Sequence, residues 1–103
     1  MPKAPDEAQV IKALADINRL KILNSLAERP QYISELAKSL DIDRTTIAYH
    51  LALLHSADLL ESHYEILEEP RSKGKAAHVY SVNIRRIKDV LASPLFKVIQ
   101  ENL

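Results

Sequence analysis

A single glycine in 103 residues, Gly74, is the strongest constraint this sequence places on its fold. Turn-rich all-β architectures need many positive-φ positions, which glycine fills without steric cost, so this chain has to be built mostly from helices with alanine and leucine faces. With 47% hydrophobic and 27% charged residues there is apolar material for one compact domain, and the length allows no second.

There is no cysteine. Its absence removes a disulfide framework, a thiolate metal site and a cysteine nucleophile together, and points to a reducing cytoplasm. Residues 1–6 lack the apolar core of a secretion signal, and no apolar run approaches the length of a membrane span, so a soluble intracellular protein is expected. Fourteen basic and fourteen acidic side chains cancel to zero net charge. Such a chain cannot coat nucleic acid by bulk electrostatics, and any polyanion must meet a local patch. The charges are also uneven: residues 31–80 carry five basic and eight acidic groups, whereas residues 81–103 carry four and two.

Helical spacing of Val10, Ile11, Leu14 and Ile17 follows Asp6, and Asp6 with Gln9 three residues on forms a capping-box pattern. Asp16 and Asn18 break that rhythm. Leu20, Ile22, Leu23 and Leu26 then make a second stripe, which Pro30 ends, so residues 6–28 read as two short helices or one kinked one. Tyr32 and Ile33 are a short β-prone step, Ser34 is placed to cap a brief third helix with Leu36, Ala37 and Leu40 inward, and Asp43 caps a fourth. In that fourth helix Ile47, Leu51 and Leu54 share the core face, and Arg44, Thr45, Ala48, Tyr49 and Ala52 face away.

From Leu60 to Leu67 the pattern switches to strand alternation, with Leu60, Ser62, Tyr64 and Ile66 on one side. A second strand is expected over 76–82. Between them, Pro70 and Gly74 mark a hairpin loop with Arg71, Lys73 and Lys75 at its tip. Asn83 caps a fifth helix bearing Ile84, Ile87, Val90 and Leu91, interrupted at Pro94 and resumed by Leu95, Val98 and Ile99. The resulting class is mainly α with a small β-hairpin wing, in the order α-α-β-α-α-β-β-α of a winged helix-turn-helix domain spanning 1–103.

Ala15-Asp16-Ile17-Asn18-Arg19-Leu20-Lys21-Ile22-Leu23, Ile33-Ser34-Glu35-Leu36-Ala37 and Thr46-Ile47-Ala48-Tyr49-His50-Leu51-Ala52-Leu53-Leu54 together resemble the arsenic-repressor-like (ArsR-type) family of prokaryotic transcription regulators, with Val79-Tyr80-Ser81-Val82 similar to its closing wing strand. The resemblance covers roughly residues 8–92. It implies a helix-turn-helix over 34–57, a wing over 60–82 and dimerisation helices at 6–28 and 83–103. Where the family often has glycine, at the turn between the two reading helices and after the fourth helix, this chain has Asp41 and Asp58, which tolerate the left-handed conformation better than most side chains. The family's metal-sensing cysteine pairs and last-helix histidine clusters are missing, so no metal and no cofactor is expected.

The expected partner is double-stranded DNA, read as a palindromic operator by a homodimer. Arg44, Thr45, Thr46, Ala48 and Tyr49 would meet base edges and phosphates in the major groove, and Arg71, Lys73 and Lys75 the backbone or minor groove. Surplus apolar residues at the chain ends, Val10, Ile11, Leu14, Ile87, Leu91, Leu95, Val98 and Ile99, would form the dimer interface. Because net charge is zero, a winged-helix module for protein association is the alternative. Of the four histidines only His63 and His78 are placed to meet across the hairpin, and His50 reads as a packing residue that orients its helix. Asp16 with Arg19, and Glu35 with Lys38, are spaced as local helix pairs or caps. No nucleophile, base and anion-holding turn converge in the pattern, so an enzyme is not expected.

Overall fold

Asp6 opens the first helix reciprocally with Gln9: the Gln9 amide donates to Asp6 Oδ1 at 2.8 Å and the Asp6 amide to Gln9 Oε1 at 2.9 Å. In the computed structural model, which describes residues 6–68, 70–71 and 74–102 without the side chains of Leu95 and Ile99, this helix is α1 (Glu7–Leu14). It is followed by α2 (Ile17–Glu28), β1 (Gln31–Tyr32), α3 (Ile33–Leu40), α4 (Arg44–Ser56), β2 (Leu60–Ile66), β3 (Ala76–Val82), α5 (Ile84–Leu91) and α6 (Pro94–Glu101). Chain 6–28 is therefore two helices. Pro94 occupies the first position of α6, where its missing N–H costs nothing, and Ser93 Oγ accepts from the Phe96 amide at 3.2 Å.

The core gathers one stripe from each early element. Val10 and Ala13 of α1, Ile22, Leu23 and Leu26 of α2, Leu36 of α3, and Ile47, Leu51 and Leu54 of α4 are buried together with Leu59 and Leu60 at the entry to β2. Each buried leucine or isoleucine contributes about 1.5–3 kcal/mol relative to exposure. The sheet is antiparallel in the order β1-β3-β2, with Leu60 opposite Val82 and Tyr64 opposite His78. Tyr80 and Val82 pack its base on the helical core, whereas Tyr64 and Ile66 at its outer half are open.

Three expectations change. Ser34 does not cap α3: the N-cap is Tyr32 and the helix begins at Ile33, two residues earlier than a Ser34 cap would start it, and Glu35 reaches back to accept from the Tyr32 amide at 3.0 Å while holding Arg29 at 2.9 Å rather than Lys38. Leu20 is exposed, because α2 turns its Ile22, Leu23 and Leu26 stripe inward and leaves Leu20 outside it. His63 and His78 do not meet. The register pairs His63 with Val79 and His78 with Tyr64, so the two imidazoles lie on opposite faces of the hairpin.

Candidate nucleic-acid interface

Asp43 sets where α4 starts. Its Oδ1 accepts from the Thr46 amide at 2.8 Å and its Oδ2 from the Thr46 hydroxyl at 2.9 Å; these bonds, the amide first, hold the carboxyl below its ordinary range. Upstream, Asp41 takes the left-handed conformation (φ 54) that folds α3 back against α4, and Asp58 (φ 61) does the same after α4. With Ile47, Leu51, Leu54 and His50 buried, the outward side of α4 presents Arg44, Thr45, Ala48 and Tyr49, all exposed. Thr46 sits beside them, half-buried, its hydroxyl proton committed to Asp43.

What fixes the angle of α4 is a contact that sequence reasoning missed. Arg19 Nε donates to the Ala13 carbonyl at 2.6 Å, Nη2 to the Lys12 carbonyl at 3.3 Å, and Nη1 lies 3.2 Å from His50 Nδ1. A guanidinium only donates, so His50 Nδ1 is the acceptor and its ring proton sits on Nε2. One side chain thus ties the open carbonyls at the end of α1 to the middle of α4. Asp16, read as a local partner or cap with Arg19, serves as both: its carboxylate accepts from the amides of Asn18 at 2.8 Å and Arg19 at 3.1 Å to cap α2, its Oδ2 lies 4.0 Å from Arg19 Nη1, and the Arg19 amide is the main cause of its lowered pKa. His50 is buried, as a helix-orienting residue should be. Nothing local signals the Arg19–His50 contact, since 31 residues separate the two.

The wing is closed by Gly74 (φ 83), whose amide donates to the Leu67 carbonyl at 3.2 Å, and by the Leu67 amide donating to Lys75 at 2.9 Å. Arg71 and Lys75 are exposed near its tip; Lys73 lies outside the described residues. On one face of the hairpin His78 stacks on Tyr64 (ring centroids 4.4 Å apart) and lies tilted against Tyr80 (4.3 Å). The other face balances its acid: Glu65 accepts from the Tyr32 hydroxyl at 3.0 Å and sits 3.1 Å from His63 Nε2, and the bonds from His63 and then Tyr32 lower its carboxyl. A cleft of about 510 Å³ separates the wing from α4, walled by Ala48, Ala52, His55 and Ser56 on the helix side and Ser62, Tyr64, His78 and Tyr80 on the sheet side. His78 and Arg44 also border a second groove, of about 460 Å³, toward Tyr32.

Among the apolar end residues, Val10 is 1% exposed and belongs to the core of its own chain, so it has no surface to offer a partner. Ile11, Leu14 and Ile87 are half-buried. Leu91 and Val98 stand 47% and 54% exposed, and the side chains of Leu95 and Ile99 lie outside the described residues. Among the described residues no three histidine or carboxylate side chains converge as a metal would need, and no helix is long and apolar enough to cross a membrane.

Residues 9–62, from α1 into β2, match the family described as bacterial regulatory protein, arsR family. An uncharacterised helix-turn-helix-type transcriptional regulator of Methanocaldococcus jannaschii is 41% identical over 71 residues, 69% of this chain and 74% of that one. An ArsR-like transcriptional regulator from Rhodococcus sp. RHA1 has a similar structure, with TM-score 0.69 and 29% identity over 92% of this chain and 80% of that one. A homodimeric winged helix-turn-helix DNA-binding domain from Mycobacterium bovis, a possible ArsR-family transcriptional regulator, has TM-score 0.61 and 29% identity over 90% of this chain and 73% of that one.

Proposed function

The chain belongs to the arsR family of bacterial regulatory proteins, and from there we propose that it is a transcription regulator that binds a specific double-stranded DNA site as a homodimer. The observation that carries the reading is the outward side of α4, where Arg44, Thr45, Ala48 and Tyr49 stand clear of the core on a capped, clamped helix. An α-helix fits a major groove about 12 Å wide. Arginine there bridges a guanine edge, the threonine methyl and Ala48 suit a thymine methyl, Tyr49 adds a hydroxyl contact to phosphate or base, and Thr46, its proton held by Asp43, has an oxygen that accepts from a base amino group. The basic wing tip, Arg71 and Lys75 together with Lys73, meets the adjoining backbone or minor groove.

One recognition helix reads only a few base pairs, so two copies are needed, their α4 helices about 34 Å apart on a palindromic site. Ile11 and Leu14 of α1 and Ile87, Leu91, Val98 and the neighbouring Leu95 and Ile99 of α5 and α6 supply the pairing surface. Such a regulator works where a prokaryote keeps its chromosome, in the cytoplasm. The protein-association module that zero net charge left open is not favoured in a family of regulators.

Selection of duplexes from a random pool tests this directly, and a recovered palindrome is the expected result. Arg44→Ala and Tyr49→Ala should each lose about 1–3 kcal/mol of discrimination between that site and random duplex while melting like the parent. Neutralising Arg71, Lys73 and Lys75 should instead weaken all sequences alike and flatten the salt dependence. If Arg44→Ala and Tyr49→Ala bind the selected site as tightly as the parent does, α4 is not the reader.

A further inference from the structure

The cleft between α4 and the wing has a chemistry that the recognition residues do not use. Its walls carry two histidines, two tyrosines and two serines and, among the described residues, no carboxylate, in a chain with fourteen acids. At its centre His78 lies against Tyr64 and Tyr80, and its Nδ1 is 3.0 Å from the Tyr80 hydroxyl. That hydrogen bond survives a change of protonation, because the phenol donates to a neutral ring and accepts from a protonated one. Ring stacking and this bond fix the imidazole's orientation and leave Nε2 as the nitrogen available to a ligand. Two phenol faces also accommodate an imidazolium well.

We infer that this cleft is a phosphodiester-binding site, in which one DNA strand runs between α4 and the wing and protonated His78 contacts a phosphate. The inference rests on the DNA-binding reading above and adds residues to it. Geometry places the strand there: a helix some 10–12 Å across fills a major groove about 12 Å wide, so the strand bordering that groove must lie against the helix flank that faces the wing. The charged and titratable groups around His78 are Tyr64 on β2, Tyr80 on β3, His55 and Arg44 on α4, and Tyr32 on β1. None is an acid. A phosphate beside the ring favours its protonated form, so proton uptake and DNA binding reinforce each other. His63, held by Glu65 on the reverse face of the hairpin, has no part in it.

The test uses a random-sequence duplex, since a phosphate contact does not depend on sequence. Fluorescence anisotropy at constant ionic strength should show the parent binding about three- to tenfold more tightly at about pH 5.8 than at about pH 7.8, the window in which imidazole charge changes. The slope of log affinity against log salt should steepen by up to about 1.8 for a dimer carrying two such contacts. His78→Gln should lose most of both effects and His63→Gln should keep them. In the unmodified protein, the His78 ring proton resonance should titrate at higher pH with duplex than without, and that of His63 should not move, which reads the site without relying on a variant. Equal pH gain and equal slope change in His78→Gln and parent, or a His78 titration indifferent to duplex, would overturn the inference while leaving DNA binding intact. A parent that binds no duplex at either pH in low salt would sink the DNA-binding reading itself.

Discussion

Arg19 joins the end of α1 to the middle of α4. Its fork caps two carbonyls at the end of α1 and docks on the buried His50 ring, and its side chain is only 12% exposed. Arg19→Ala would leave those acceptors without their donor, and should cost about 2–3 kcal/mol and lower Tm by on the order of 10 °C. Arg19→Lys should recover little of that, because an ammonium cannot reach three acceptors in one plane. Thermal melts by circular dichroism decide it, and a Tm within a degree of the parent for Arg19→Ala would remove the clamp from the account. Arg44 and Tyr49, by contrast, touch solvent in the free protein, so their loss should register in DNA discrimination and not in melting.

The helices α2, α3 and α4 each start on an ionised carboxylate. Asp16 is held low chiefly by the Arg19 amide, Glu35 by the Tyr32 amide and then by Arg29, and Asp43 by the Thr46 amide and hydroxyl. A folded pKa below the unfolded one gives stability that is present above the unfolded value and lost as pH falls through the folded one. Thermal stability should therefore be nearly flat from neutral pH to about 5 and fall below about pH 4. Asp43→Asn makes the assignment specific: asparagine caps as well as aspartate, so the variant should melt close to the parent at pH 7 and lose less on going to pH 3. An acid limb as steep as the parent's would exclude Asp43 as a contributor. Most of these starts are legible in the residue order, since a cap is a contact across three residues; the start of α3 is not, because Tyr32 offers no capping side chain and only the fold turns Glu35 back to its amide.

For the molecule as a whole, α5 and α6 carry the apolar surface that the dimer proposal assigns to pairing. No residue of α5 is buried in the protomer, and Leu91 and Val98 are exposed. Leu91→Glu with Val98→Glu should leave the core of α1 to α4 untouched, shift the protein to monomer in sedimentation at tens of micromolar, and weaken binding to a selected palindrome by at least about tenfold, because two half-sites would no longer be engaged together. A parent that sediments as a monomer and still binds one palindrome tightly would contradict the arrangement. The sequence marked the chain ends as carrying surplus apolar residues; it did not separate Val10, which its own core consumes, from Leu91, which that core leaves outside.

The order of residues was enough for whatever rests on neighbours within a turn or a strand pleat. Helix starts at Asp6, Asp43 and Asn83, the left-handed aspartates Asp41 and Asp58, and the inward face of α4 all follow from side chain to backbone contacts or from a fixed period, and the family pattern rides on those same positions. Only the tertiary structure could decide which distant partner a polar side chain takes. Arg19 chose His50 and the α1 carbonyls, and Glu35 chose Arg29 over Lys38. Strand register set Tyr64 against His78 and turned His63 away. Each of those choices turns on a small free-energy difference between competing hydrogen bonds and ring contacts, and it is settled by where packing of the whole core has already placed the backbone.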